Sequence, residues 1–233
     1  MEEIWNKFSC ACTNGDLNTL HHIISNGLLN VNAVDNKGRS GLLMAVCRNQ
    51  VEVVKYLLSN GADPTLKDIN NNNALHLASI SGSSQIVSII LNYQNEQQQH
   101  QQQQQYQQQP SNLINQTILS KDVNNNTPLH LASSRLKRML SNIKSNSSNG
   151  NYKDSELIKE LKSILSSFYS IINAVGSNED KLKMQLIINN FEKDQISTEE
   201  YEMDDDENDE NDTNNLSKTL DDLDSLLNGL SLS

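Results

Sequence analysis

The chain repeats itself at a fixed offset, and that limits its fold more than any other feature. Residues 35–67, DNKGRSGLLMAVCRNQVEVVKYLLSNGADPTLK, align with residues 68–93, DINNNNALHLASISGSSQIVSIILNY, at an offset of 33. Asp35 falls on Asp68, Leu42 on Leu75, Ala45 on Ala78, Val53 on Ile86 and Leu58 on Leu91. A further copy starts at Asp122, where Leu129, His130 and Ala132 repeat Leu75, His76 and Ala78. Upstream, Phe8, Ala11, Gly15, Leu20 and Ile24 follow the same frame shifted by one residue, the additional residue lying in 28–33. A unit this short cannot bury an apolar face by itself, so four such units must stack on one another.

Each unit carries local instructions for a hairpin followed by two helices. The Asp is followed three residues later by Gly38, Asn71 or Asn125, the residues that best tolerate a positive φ. Thr127 then caps a helix and Pro128 occupies its first position, where the missing N–H costs nothing. Small Ala45 and Ala78 allow close helix packing, and Val53, Val54, Leu57 and Leu58 give a second helix an apolar stripe at helical spacing.

Thr127-Pro128-Leu129-His130-Leu131-Ala132 matches, residue for residue, the T-P-L-H-x-A start of the ankyrin repeat, whose period is 33. Asn73–Ala78 is an intermediate copy, Ser40–Ala45 a degenerate one, and NGADP at 60–64 the turn after an outer helix. The sequence therefore resembles the ankyrin-repeat family. The resemblance implies an all-α solenoid of about four helix pairs, with repeats one to three over 1–93 and an atypical fourth over 122–144.

Three segments depart from the repeat. Asp68 and Asp122 lie 54 residues apart, which is one period plus a 21-residue insertion, and 11 of residues 97–109 are Gln. Residues 94–121 are expected to be a disordered excursion, either a tolerated surface expansion or a self-association element. After the fourth inner helix, Leu157, Leu161, Ile164, Leu165, Phe168, Ile172 and Val175 form one apolar stripe, and Leu182, Leu186, Ile187 and Phe191 another. Residues 152–196 are expected to be a helical cap shielding the last repeat.

The charge is the third departure. The chain has a net charge of −11, yet residues 199–233 alone hold 13 acids and one base. The acidity therefore belongs to the tail, with 197–215 an acidic linker expected to stay unfolded. With no basic stripe and no long apolar run, neither nucleic acid nor a membrane is expected as partner. Three cysteines, an odd number, provide no secreted disulfide framework. No phosphate-binding glycine loop, catalytic constellation or ligand set for a metal is present, so a non-enzymatic protein without cofactor is expected.

Two surfaces stand out as candidates. Residues 216–233 carry Leu220, Leu223, Leu227 and Leu230 at spacings of 3, 4 and 3, an amphipathic helical pattern. Leu223, Leu227, Leu230 and Leu232 also follow the spacing of a nuclear-export peptide, which would engage the export receptor by groove binding. The same leucines suit a helix folded back on the cap, or the LD motif of focal-adhesion scaffolds.

The other candidate is the concave face that ankyrin partners contact. There the family pattern selects Asn36, Lys37, Arg39, Cys47 and Arg48 in repeat two. In repeat three it selects Ile69, Asn70, Asn72, Ile80 and Ser81, and in repeat four Val123, Asn124, Asn126, Ser134 and Arg135. Four repeats, a long helix and a leucine-rich end, in that order, resemble the small ankyrin adaptors that shuttle between nucleus and cytoplasm and bind signalling proteins. A monomeric adaptor, cytoplasmic and nuclear, is the expectation; the rival is an acidic-tailed escort of a basic protein such as a ribosomal protein or histone.

Overall fold

The computed structural model describes residues 2–104, 117–132 and a scatter of positions between 134 and 189. The terminal leucines and the acidic linker lie outside the described residues. Among the described residues the first six helices are, in order, α1 Glu2–Asn14, α2 Leu17–Ser25, α3 Gly41–Cys47, α4 Val51–Ser59, α5 Ala74–Ser81 and α6 Ser84–Gln104. The inner helices α1, α3 and α5 pack in sequence, the outer helices α2, α4 and α6 do likewise, and each inner helix pairs with its own outer helix. Among the described residues the only β-pairing is an isolated bridge between Val34 and Ser40.

The core is continuous along this stack, from Phe8, Leu20 and Leu42 through Leu57 and Leu75 to Ile86, Ile90, Ile118 and Leu129. Small residues set its spacing. A Cβ built on Gly41 would stand 2.5 Å from Phe8 Cε1 and 2.9 Å from Cys12 Sγ, so only glycine lets α1 approach α3 this closely. Cys12 is buried accordingly, and burial pushes its thiol up to about 12. It is a packing residue.

Each hairpin is built around its Asp. One carboxylate oxygen of Asp35 accepts from the N–H groups of Lys37 and Arg39, at 2.9 and 2.8 Å. Asp68 accepts from Asn70 and Asn72, and Asp122 from Asn124 and Asn126, in the same pattern. Gly38, Asn71 and Asn125 stand at φ 70°, 60° and 65°. Successive hairpins are then tied through the backbone: Ile69 N–H donates to the Lys37 carbonyl at 2.9 Å, and Val123 N–H to the Asn70 carbonyl at 3.0 Å. The second bond is the first repeated, so the fourth unit docks in register despite the insertion.

The insertion itself differs from the sequence expectation. Helix α6 runs to Gln104, so residues 94–104 are helical rather than a disordered start to the loop. The cause is local. The positions matching Asn60 and Gly61, which end α4, are Tyr93 and Gln94; Gln is a good helix former, and no Gly or Pro intervenes before Pro110. At the other end, Thr117, Ile118 and Ser120 are buried. Gln94 Nε2 donates to Thr117 Oγ1, and Asn73 Nδ2 donates to the Thr117 carbonyl at 3.0 Å. The described chain on the two sides of the insertion is thus joined at one clasp.

Part of the expected cap is described, and it lies against α6. Ser163 Oγ donates to the Gly82 carbonyl at 2.7 Å, and Ser170 lies 3.5 Å from Ser88 across α6. Ser167 and Ile171 are buried. The described part of this helix therefore lies along α6, as α6 lies along α4. Of the second stripe only Leu182 is described, and it is 67% exposed.

Asn73 and His76 form a capping box at the start of α5. His76 Nδ1 lies 2.7 Å from Asn73 Oδ1, and Nε2 lies 3.2 Å from the Asn126 carbonyl of the next hairpin. Burial lowers its pKa below the usual 6.5, outweighing the opposing pull of the Asn126 carbonyl. Such a group takes up its proton more readily when unfolded, so stability is full above about 6.5 and declines as pH falls below it, by up to about 1.4 kcal/mol per unit. Leu43 fills this slot in repeat two. His76→Leu is expected to cost about 1–3 kcal/mol at pH 7.5, by leaving the buried Asn73 N–H of the capping box without its acceptor, and to flatten the decline between pH 6.5 and 5.5 in urea titrations.

Candidate functional site

The fifteen concave positions divide into two groups once their contacts are read. Arg39, Asn72 and Asn126 occupy equivalent places and do equivalent work: each closes its own hairpin. The Arg39 guanidinium pairs with the Asp35 carboxylate at 2.6 Å. Asn72 and Asn126 reach Asp68 and Asp122 with their amides at 3.5 and 3.3 Å. Burial opposes ionisation of Asp35, but the Arg39 hydrogen bond and the backbone N–H groups outweigh it and hold the carboxyl below its ordinary value. Asp122 is held low against burial in the same way by Asn126 and Asn124. The acids of this face are therefore consumed by the turns.

Arg135 is structural as well. Its guanidinium donates to the Ile80 carbonyl, and its side chain crosses the space beside Gly82. Among the described residues Ser81 bonds back to Ala78 and Ser134 to His130 within their own helices.

What remains accessible has a definite chemistry. Ile69 and Val123 each follow the hairpin Asp, spend their N–H on the preceding hairpin, and are 61% and 58% exposed. Ile80, at the end of α5, is 39% exposed. They are joined by exposed Cys47, whose thiol is raised first by burial and then by Asp68 of the next hairpin. The face thus presents an apolar stripe along successive hairpins, Ile69 and Val123, with Cys47 and Ile80 at the ends of successive inner helices.

Cations border it. Lys37 and Arg48 are exposed, as are Lys67 and Lys121, which immediately precede Asp68 and Asp122. Among the described residues none of the four makes an ion pair, the pairs being Lys7–Glu3, Arg39–Asp35 and Lys55–Glu52. Sequence reasoning selected Ile69, Val123 and Ile80 but missed Lys67 and Lys121. The signal was available: these two lysines repeat in the frame of 54 that relates Asp68 to Asp122.

Elsewhere the chemistry is sparse. A hollow of about 420 Å³ opens between α1 and α2, lined by Ile4, His22, Ile23 and Leu28 among others. Among the described residues no three His, Cys, Asp or Glu side chains come together to hold a metal, and no helix is long and apolar enough to cross a membrane. His130 is exposed and bonds Thr127 Oγ1 through Nδ1 at 2.7 Å, a turn-to-helix tie like that of His76.

Comparison with known proteins agrees with this architecture. The ankyrin-repeat family matches in three copies over residues 8–103. Over 101 residues, 40% of this chain, the sequence is 30% identical to the probable 26S proteasome regulatory subunit p28 of Saccharomyces cerevisiae. It is 32% identical over 85 residues, 36% of this chain, to human transient receptor potential cation channel subfamily A member 1. With inversin of Danio rerio it shares 33% identity over 81 residues, 35% of this chain. The chain spans 44% of the yeast subunit and 8% of each of the other two, so what is shared is the repeat array. Stacked helix pairs, Asp-centred hairpins tied through the backbone, and these matches together show an all-α solenoid of ankyrin repeats, matched over residues 8–103.

Proposed function

We propose that this chain is a non-enzymatic intracellular adaptor that holds a protein partner on its concave face. Ankyrin repeats are a protein-interaction scaffold, and the observation that carries the reading is the apolar stripe of Ile69, Val123 and Ile80 within a margin of unpaired cations. Large apolar side chains are held in the open there by backbone bonds that fix their spacing. Such a surface fits a segment that alternates apolar and acidic residues, the apolar side chains entering the stripe and the acids meeting Lys37, Arg48, Lys67 and Lys121.

The finer reading follows the order of segments along the chain. Four repeats, a long helix and the terminal LDDLDSLLNGLSLS resemble ankyrin repeat domain-containing protein 54, also called the Lyn-interacting ankyrin repeat protein. That resemblance supports movement between nucleus and cytoplasm, a role in regulating signalling, and export through Leu223, Leu227, Leu230 and Leu232.

Two experiments test these statements separately. Ile69→Glu combined with Val123→Glu places charge at two exposed sites, where the stability cost stays within about 1 kcal/mol. Capture of partners from cell extract by the purified double variant is expected to fall tenfold or more, with an unchanged unfolding midpoint. Capture that survives both changes but fails when residues 199–212 are removed or salt is raised would replace the adaptor with the escort of a basic protein. Leu227→Ala with Leu230→Ala is expected to shift a fluorescent fusion toward the nucleus. A distribution indifferent both to these changes and to blockade of the export receptor removes the export claim.

A further inference from the structure

The chemistry that the concave face asks of a ligand is written in the chain's own last residues. We propose that residues 216–233 dock in cis along the stripe of Ile69, Val123 and Ile80, so that the terminal leucines and the partner surface mask each other until a partner displaces the segment. The proposal rests on the reading of that face as a protein-binding surface, and three observations support it.

The first is register. Leu220 and Leu227, like Leu223 and Leu230, are seven residues apart, which in a helix is about 10.5 Å. Ile69 and Val123 sit at the same place in consecutive units, and stacked helical units are separated by about 8–10 Å. One helical face of the segment therefore offers a leucine to each unit in turn.

The second is charge. Asp221, Asp222 and Asp224 interrupt the leucines, and ten more acids precede them in 199–212. On the array, Asp35 is paired with Arg39, and Asp68 and Asp122 keep their charges within the turns, but they are outnumbered by Lys37, Arg48, Lys67 and Lys121, exposed without an ion partner among the described residues. The field at the face is positive and that of the segment negative, and the attraction acts over about 10 Å.

The third is reach. Asn189 is the last residue the structure describes, and the chain from there to residue 216 can extend over as much as about 90 Å. Tethering within one chain raises the effective concentration of the segment at the face. Modest contacts then suffice to keep the segment docked, and they stay weak enough for a better ligand to displace it.

The native cysteines report the docked state without altering the array. Cys47 lies exposed beside the stripe, Cys10 lies exposed on α1 in repeat one, and Cys12 is buried. The rate of N-ethylmaleimide addition at Cys47 relative to Cys10 is measured by mass spectrometry on the full chain, with no partner present. The comparison is Leu223→Ser with Leu227→Ser, changes in the tail that leave the repeat core intact. The ratio is expected to rise about fourfold in the variant, which corresponds to a docked fraction of about three-quarters in the natural sequence. Raised salt is expected to give a similar rise in the natural sequence alone. An unchanged ratio overturns the proposal, and protection that grows with protein concentration overturns it in favour of contact between copies. Because no partner enters the measurement, either result leaves the adaptor reading standing.

Discussion

The later units of this array depend on one bond made between neighbours: in repeats three and four the N–H of the residue after the hairpin Asp donates to a carbonyl of the hairpin before it. Ile69 makes it to Lys37 and Val123 to Asn70. No unit of two short helices can bury its own apolar stripe, so burial requires a neighbour, and the hairpin bond sets the distance and register at which that neighbour sits. The core that follows, from Phe8 to Leu129, is continuous because each unit presents its apolar face at the same height. His76 adds a second tie of the same kind, reaching the Asn126 carbonyl from the inner helix of the preceding unit.

That constraint explains why an insertion of 21 residues does not end the stack. Lengthening a closed loop costs free energy only logarithmically, whereas losing the fourth unit would expose the face of the third. The clasp of Gln94, Thr117 and Asn73 fixes the two ends, and Val123 then finds the same carbonyl that its counterpart would find in an uninterrupted array. The same bond shapes the binding surface. It turns Ile69 and Val123 outward with their backbones satisfied, while Arg39, Asn72 and Asn126 are occupied in closing turns. Much of the polar character of the concave face is thus structural. Selectivity is left to the apolar stripe and to cations that make no ion pair among the described residues.

The periodic part of this architecture was legible because each step is local. The caps at Ser40, Asn73 and Thr127, the positive φ of Gly38, Asn71 and Asn125, and the buried alanines all follow from residue types at fixed offsets. What escaped was non-local or non-periodic. Composition suggested disorder from residue 94, but glutamine's helix propensity and the absence of a breaker carry α6 to Gln104. The helix around Ser163 and Ile171 reads as a terminal cap in sequence, and only its bonds to Gly82, Ser84 and Ser88 place it along α6. A list of exposed-looking positions could not tell Arg39 and Arg135, which are engaged by neighbours, from Lys37 and Arg48, which make no ion pair among the described residues.

The central claim is that the hairpin ladder runs unbroken across the insertion into the fourth unit. Amide hydrogen exchange on the full chain tests it residue by residue, since a bonded N–H exchanges only when its bond opens. The account predicts that Val123 is protected to within about tenfold of Ile69, both well above Asn36, which has the same place in repeat two and no such bond among the described residues. A Val123 amide exchanging at the rate of an open chain, beside a protected Ile69, would show that the stack ends at repeat three.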